Sequence, residues 1–111
     1  MESTRQKKIS RLLQKELAII FHKEAPSLLG NFIYTVTTVR VTSDLSVAKV
    51  FLSIFPSKES HEVIRQAKKK APFFRNLLSK KVRYQLRIIP ELHIFLDDSA
   101  DYTDKIDRLL K

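Results

Sequence analysis

The residues best suited to chemistry are the cations of residues 66–83, QAKKKAPFFRNLLSKKVR, a stretch without a single acid. From Arg65 to Pro90 every charged side chain is positive, although like charges three or four positions apart on a helix repel by roughly a few tenths of a kcal/mol. A solvated helix face normally mixes the two signs. The pattern therefore favours binding of phosphate groups over a merely solvated surface.

A proline interrupts this basic stretch. Proline lacks a backbone N–H and disfavours helical geometry in the residue before it, so we predict a helix kink at Ala71 and Pro72. Two basic helix faces set at an angle suit one curved RNA backbone. The first turn of the second helix also offers backbone N–H groups to a phosphate.

Two groups of cations are the candidate RNA-binding residues. The N-terminal group consists of Arg5, Lys7, Lys8, Arg11 and Lys15. The group around the kink consists of Lys68, Lys69, Lys70, Arg75, Lys80, Lys81, Arg83 and Arg87. Their expected role is to neutralise phosphates, while the shape of the RNA rather than its base sequence supplies selectivity.

Two aromatic residues, Phe73 and Phe74, follow the proline directly. Phe74 shares the apolar stripe of its helix, and Phe73 lies one turn before Leu77. Core packing is therefore the favoured interpretation of both rings. Base stacking stays open as an alternative for Phe73 alone.

Catalytic and metal-binding roles are disfavoured. The chain has no cysteine, and its three histidines lie far apart without the spacing of metal ligands. Asp97 and Asp98 could hold magnesium in a nuclease, but adjacent residues at a strand end rarely converge on one ion. With Asp101, Asp104 and Asp107, these acids are better explained as a negative side that orients docking. We expect no enzyme, no cofactor, no metal and no small-molecule substrate.

Composition narrows the class of partner. A formal charge of +9 over 111 residues indicates an anionic partner, with nucleic acid first and a membrane surface second. The longest apolar run, residues 17–21, is too short to cross a membrane, and its helix needs its apolar stripe for the core. The absence of cysteine suits a reducing cytoplasm. Gly30 is the only glycine, which excludes a phosphate-cradling loop and the GxxG loop of many KH domains.

Hydrophobic periodicity predicts the elements that position these groups. A capping box of Ser3 and Gln6 begins an amphipathic helix that runs to about Glu24, and residues 25–31 are predicted to form a loop. An antiparallel pair of strands is predicted at residues 33–41 and 47–55, with a turn at residues 42–44 between them. The residues of the first helix expected to face the core are Ile9, Leu12, Leu13, Leu17 and Ile20.

The second half of the chain is predicted to contain two helices on either side of the kink, a strand at residues 92–96 and a short last helix capped by Asp98 or Ser99. The order is helix, strand, strand, helix, broken helix, strand, helix. We therefore expect an α+β fold with helices on a small sheet, and one domain spanning residues 1–111. The inward residues predicted for these helices are Val63, Ile64, Ala67 and Ala71, then Phe74, Leu77, Leu78 and Val82, and finally Tyr102, Ile106, Leu109 and Leu110.

Two motifs and the first helix resemble the bacterial ribosome-binding factor A family over nearly the whole chain. VTTVRVTSDLSVAKVFLSIF, residues 36–55, resembles the family's strand–turn–strand, and RQKKISRLLQKELAIIF, residues 5–21, resembles its basic opening helix. FRNLLSKKVRYQLRIIPELHIFLDDS, residues 74–99, resembles its second signature. The matching positions there are Arg75, Pro90, Leu92, Phe95 and Asp98.

The resemblance implies a type II KH-like domain with a three-stranded sheet, helices packed on one face, and a helix-kink-helix in place of the GxxG loop. It also implies a non-enzymatic, monomeric, cytoplasmic assembly factor. Such a factor binds 16S rRNA on the free, immature small ribosomal subunit and aids its maturation, especially in the cold. The family's kink is typically Ala-x-Gly, whereas this chain has Lys70, Ala71 and Pro72. A generic single-stranded RNA-binding module, not tied to the ribosome, is the alternative.

Overall fold

The structure, a computed structural model, describes residues 2–98 of the 111-residue chain. Three helices pack on one face of a three-stranded sheet. In chain order the elements are α1 (Thr4–Leu29), β1 (Ile33–Val41), β2 (Val47–Phe55), α2 (Ser60–Lys69), α3 (Ala71–Val82) and β3 (Glu91–Leu96). The strand order is β1–β2–β3, with β1 antiparallel and β3 parallel to β2. The predicted α+β order is thus confirmed through β3, and the predicted last helix lies outside the described residues.

One apolar core fills the space between the helices and the sheet. In the central strand β2, the alternate residues Ala48, Val50, Leu52 and Ile54 are all buried, as a period of two predicts for a strand covered on one face. The fully buried rings of Phe21 and Phe74 stack with their centroids 4.3 Å apart and join α1 to α3. Three residues predicted to face the core are only half-buried at its margin: Leu12, Ala71 and Leu77.

A polar row on α1 covers the outer edge of β1. Gln6, Ser10 and Gln14 recur every four residues and therefore share one helix face. The Gln6 side chain donates to the Val41 carbonyl at 3.1 Å, and the Val41 N–H donates to Ser10 Oγ at 3.2 Å. Gln14 Nε2 donates to the Thr37 carbonyl at 3.1 Å. These bonds satisfy backbone groups that an open sheet edge would otherwise present to another chain.

The predicted end of α1 is wrong. The helix continues through Pro26 to Leu29, so residues 25–29 are helical rather than part of a loop. Ala25 is fully buried, and Leu28 and Leu29 pack against the core, so tertiary contacts stabilise a turn in which proline removes one N–H. Gly30 ends the helix with φ +120°, a conformation that side chains disfavour, and an added Cβ would lie 2.7 Å from the Phe32 ring.

The break between α2 and α3 lies one residue earlier than predicted. Lys70, with φ −99° and ψ 10°, separates the two helices, and its N–H donates back to the carbonyls of Gln66 and Ala67. Ala71 and Pro72 are the first residues of α3. Proline is well tolerated there, because the first turn of a helix has no internal partner for its N–H and the fixed φ suits the helix.

The bond from Val41 to Ser10 gives a test of this edge contact. Ser10 is buried, so Ser10→Ala should leave the Val41 N–H without a partner and lower the free energy of unfolding by about 1–3 kcal/mol. Urea denaturation measures the change. Ser27→Ala, which removes an exposed hydroxyl from the same helix, should change stability by less than about 0.5 kcal/mol. Equal stability of the two variants would contradict the structural role of Ser10.

Candidate nucleic-acid interface

A groove of about 580 Å³ is lined by members of both predicted groups of cations. It lies between the start of α1, the β1–β2 turn and the segment that connects α3 to β3. Arg5 and Lys8 of α1 line it beside Arg87 of the connecting segment. We call this surface, which also includes residues 43–45 and 85–88, the α1 groove. Cations from both ends of the sequence therefore face one concave surface.

A second groove, of about 590 Å³, lies at the break between α2 and α3. Lys68, from the last turn of α2, and Arg75, from α3, line it with Ala71 and Pro72 between them. We call this surface the kink groove. Its wall also includes Ile88, which lines the α1 groove as well and is 61% exposed. The two grooves therefore adjoin at Ile88, and we call the series of adjoining grooves the path.

A third, smaller groove of about 290 Å³ continues the path to the edge of the sheet. Lys68 and Ala71 line it together with residues 92–95 of β3, and we call it the edge groove. The Glu91 N–H donates to the Ser46 carbonyl, and the Asp97 N–H donates to the Leu52 carbonyl. The odd-numbered residues of β3 thus make the hydrogen bonds to β2. The backbone N–H and C=O groups of Leu92 and Ile94 therefore point to the outer edge of the sheet.

Arg75 has a structural role in addition to its charge. Its Nε donates to the Pro90 carbonyl at 3.1 Å, and one terminal nitrogen donates to the Ile89 carbonyl at 2.7 Å. A guanidinium has five N–H donors, so these two bonds leave others for a phosphate. Arg75 thus holds the segment that carries Arg87 and Ile88 and still presents positive charge to the kink groove.

The remaining predicted cations line none of these three grooves. All of them are exposed except Lys70, which is half-buried at the break. Lys81 forms an ion pair with Glu16 of α1 at 3.8 Å. The Arg83 guanidinium lies 4.7 Å from the centre of the Tyr84 ring and donates to its hydroxyl at 2.7 Å. The cations outside the groove walls are Lys7, Arg11, Lys15, Lys69, Lys70, Lys80, Lys81 and Arg83.

Two cations of α2 and α3 have acidic partners that offset the repulsion between like charges. Besides the pair of Lys81 with Glu16, the Arg65 side chain makes two bonds to the Glu62 carboxylate, at 2.9 and 2.6 Å. Hydrogen bonds from Arg65 and Gln66 lower the pKa of Glu62 to about 2. Sequence spacing could have indicated the Glu62–Arg65 pair, whereas the Glu16–Lys81 pair depends on helix packing. The cations that line the grooves take part in no ion pair within residues 2–98.

The two aromatic residues after the kink differ. Phe74 is fully buried, as predicted. Phe73 is 42% exposed and touches the Phe74 ring edge-on at 5.7 Å, so the prediction of core packing is wrong for Phe73. The reason is the rotation of α3, which turns Phe74, Leu78 and Val82 to the core and leaves the preceding position outside.

Asp44 is an acid in the wall of the α1 groove. One carboxylate oxygen accepts from Thr42 Oγ1 at 2.7 Å, from Ser46 Oγ at 2.7 Å and from the Ser46 N–H at 3.1 Å. The donors Thr42 and Ser46 lower the pKa of Asp44 to about 2. The acid stabilises the turn, in which Leu45 takes φ 63°, so that the groove wall has a defined shape.

Two other kinds of site to consider in residues 2–98 are a metal centre and a membrane span. No group of three His, Cys, Asp or Glu side chains in this part could hold a metal ion. None of its helices is long and apolar enough to cross a bilayer. Asp97, half of the pair considered for magnesium, accepts a hydrogen bond of 2.5 Å from Thr37 Oγ1. The acids Asp101, Asp104 and Asp107 lie outside the described residues.

Comparison with known proteins identifies the family. The family model for ribosome-binding factor A matches residues 5–110. This chain belongs to the ribosome-binding factor A family. The ribosome-binding factor A of Cytophaga hutchinsonii is 44% identical over 110 residues, which cover 99% of this chain and 83% of that protein. The one of Flavobacterium johnsoniae is 45% identical over 111 residues, which cover 99% and 85%.

Solved structures show the same fold. The crystal structure of ribosome-binding factor A from Thermus thermophilus matches with a TM-score of 0.68 at 23% identity, covering 82% of this chain and 94% of that one. A homology model of the Thermus thermophilus factor, fitted into the cryo-EM map of its complex with the 30S subunit, matches with a TM-score of 0.65 at 25% identity. That match covers 80% of this chain and 91% of the other. The type II KH-like fold with a helix-kink-helix is thereby confirmed.

The hydrogen bonds of Asp44 predict a pH dependence. The pKa of Asp44 in the folded protein lies below the ordinary value of 3.8, so its stabilisation of the turn should be complete above about pH 4 and lost as the pH falls towards about 2. Carboxyl NMR titration should give a midpoint near 2. Thr42→Val removes one donor and should raise that midpoint, whereas Ser43→Ala should leave it in place. A midpoint near 3.8 in the unmodified protein would refute the described turn.

Proposed function

We propose that this protein is a non-enzymatic assembly factor that binds the immature small (30S) ribosomal subunit at 16S rRNA. In this role it promotes rRNA processing and subunit maturation, including during adaptation to cold. The observation that carries the proposal is the path of adjoining α1, kink and edge grooves, in which each groove shares wall residues with the next. Its five cations are Arg5, Lys8, Lys68, Arg75 and Arg87.

The charges of this path suit an RNA backbone. Binding of a phosphate by each cation releases counterions, which gives affinity that falls steeply with salt. Asp44 and Glu91 are the acids in the walls of the α1 and kink grooves. Asp44 already accepts three hydrogen bonds within its turn, so its carboxylate is partly screened from a bound phosphate. The balance of the path is positive.

The shape of the path suits folded RNA more than a short peptide or a metabolite. Each groove is open and has a mixed polar and apolar wall, and the cations of the path as a whole come from α1, α2, α3 and the connecting segment. Their mutual positions are set by tertiary packing, so they match a backbone of definite curvature. Selectivity for one RNA then follows from shape and not from hydrogen bonds to base edges.

The homology model of the Thermus thermophilus factor, fitted into the cryo-EM map of a 30S complex, supports the choice of partner for this chain. In the proposal, residues 1–111 act as one KH-like RNA-binding domain and as a monomer in the cytoplasm. The domain uses no cofactor, metal, membrane or small-molecule substrate. The alternative, a generic single-stranded RNA-binding module, would bind oligonucleotides as well as ribosomal particles.

Charge removal along the path should weaken RNA binding uniformly. Each of three single substitutions should lower the slope of log affinity against log salt concentration by about one unit. Each should also reduce the affinity by a similar factor for different fragments of 16S rRNA. The substitutions are Lys8→Gln, Lys68→Gln and Arg87→Gln. Fluorescence anisotropy at several salt concentrations measures both quantities. Lys23→Gln is the matched control, because it removes an exposed lysine of α1 that lines none of the three grooves. A control variant that weakens binding as strongly as the others would contradict the proposed path.

Sedimentation separates the ribosomal role from generic RNA binding. In a cell extract fractionated on a sucrose gradient, the protein should travel with free small subunits and be absent from translating ribosomes. A variant carrying both Lys68→Gln and Arg87→Gln should move to the top of the gradient, because it loses two phosphate contacts. Protein spread over all RNA-containing fractions would favour the generic module instead.

A further inference from the structure

The face of the sheet opposite the helices carries a regular arrangement of side chains. On β2 and β3 the residues that point to this face alternate with the core residues, and many of them are exposed. Strand register defines two neighbouring rows across the sheet. The cationic row contains Arg40 and Lys49, with the imidazole of His93 next in register, and the aromatic row contains Thr38, Phe51 and Phe95.

The two rings of the aromatic row form a stacked pair. The centroids of Phe51 and Phe95 are 5.4 Å apart, with 25° between the ring planes. Phe95 is 38% exposed although it belongs to a packed strand. The Lys68 ammonium lies 5.9 Å from the centre of the Phe95 ring, over its face. Lys68 and Phe95 also line the edge groove, so the stacked pair lies at the end of the path.

The cationic row lies beside this pair at a useful distance. Its residues precede those of the aromatic row by two positions on β2 and β3, which corresponds to about 6.7 Å along the strand. That distance is comparable to the length of one extended nucleotide. Arg40 and Lys49 are exposed and take part in no ion pair within residues 2–98. A base on the rings would thus have cations within reach of its phosphates.

We propose that Phe51 and Phe95 form a stacking site for an unpaired RNA base, with the adjoining phosphates bound by Lys49, Arg40 and Lys68. Single-stranded RNA would leave the edge groove and cross β3 onto the open face of the sheet. The base takes the face of the Phe95 ring that Lys68 covers, and the lysine turns its ammonium to a phosphate. The site rests on the proposed RNA-binding function and adds to it a contact with a base.

Charge and geometry favour RNA over a protein at this position. A nucleic-acid strand uses aromatic platforms flanked by cations, because every base has a face that stacks and every nucleotide carries a negative charge. Two acids also point to this face: Glu91, whose carboxylate lies 3.6 Å from the His93 ring, and Asp97, which is bonded to Thr37. Glu91 pairs with Val47, in the row before the cationic row, and Asp97 follows the end of β3 at Leu96, so both acids flank the site.

The test compares single-stranded with double-stranded RNA. Phe95→Leu keeps an apolar side chain and removes the ring. It should therefore weaken binding to a 12-nucleotide single-stranded RNA of mixed sequence by about 5- to 150-fold. The slope with salt should not change, because no charge is lost. Binding to a 12-base-pair RNA duplex, whose bases are already stacked, should stay the same. Phe95→Tyr retains a ring and should bind the single strand like the unmodified protein.

Matched variants isolate the site. Phe55→Leu makes the same change at a ring that is 51% exposed on the same face but lies outside the aromatic row, and it should leave binding unchanged. Lys49→Gln alters only an exposed side chain, so it tests the site without disturbing ring packing. It should weaken binding to the single strand and lower the slope of log affinity against log salt concentration by about one unit. A 2-aminopurine base in the RNA reports stacking directly, and the chain has no tryptophan to interfere.

The outcomes separate this site from the proposed function. If the unmodified protein binds RNA with a steep salt slope but Phe95→Leu binds like Phe55→Leu, the stacking site is wrong and the RNA-binding function stands. If the unmodified protein binds neither RNA nor small subunits, the proposed function itself is wrong. If Phe95→Leu binds single strands normally yet no longer sediments with small subunits, the open face contacts a protein, and the stacking site is again overturned.

Discussion

The contact of Arg75 with the main chain of Ile89 and Pro90 is the interaction on which the candidate interface depends. The guanidinium of α3 fixes the end of the segment that leads into β3, at bond lengths of 2.7 and 3.1 Å. Arg87 and Ile88 belong to that segment, and Ile88 lies where the α1 and kink grooves meet. A lysine could place a similar charge in the groove, but its single ammonium could not reproduce the planar fork that reaches two successive carbonyls. The same side chain therefore shapes the path and contributes to its charge.

The second constraint is the attachment of α1 along the outer edge of β1. The row of Gln6, Ser10 and Gln14 satisfies backbone groups of that edge, while the stack of Phe21 on Phe74 holds the far side of the helix against α3. Together these contacts leave α1 little freedom to rotate, because a rotation would break polar bonds on one side and aromatic packing on the other. Arg5 and Lys8, which belong to the same first turns, are consequently held at the mouth of the α1 groove.

Local patterns predict the elements of this fold better than they predict its site. The bounds of β1 and β2 in the structure are those predicted from the sequence. They could be predicted because both segments contain alternating β-branched residues and a turn separates them. The end of α1 could not be predicted, since burial of Ala25 outweighs the local effect of Pro26. Charge alone indicated thirteen cations as RNA-binding residues. They are the eight around the kink together with Arg5, Lys7, Lys8, Arg11 and Lys15. Only tertiary packing selects those that line the grooves, and it also diverts Lys81 to Glu16 and leaves Phe73 exposed.

The break between α2 and α3 reaches its geometry without glycine. The only glycine, Gly30, ends α1 in a conformation that other residues disfavour, so none remains for the kink. Lys70 instead separates the helices with negative φ, and Pro72 stabilises the first turn of α3. Ala71, whose side chain is a single methyl group, lines both the kink and the edge grooves. A small residue at this position keeps the backbone accessible to a ligand, and a larger one would narrow the path at the point where the two grooves join.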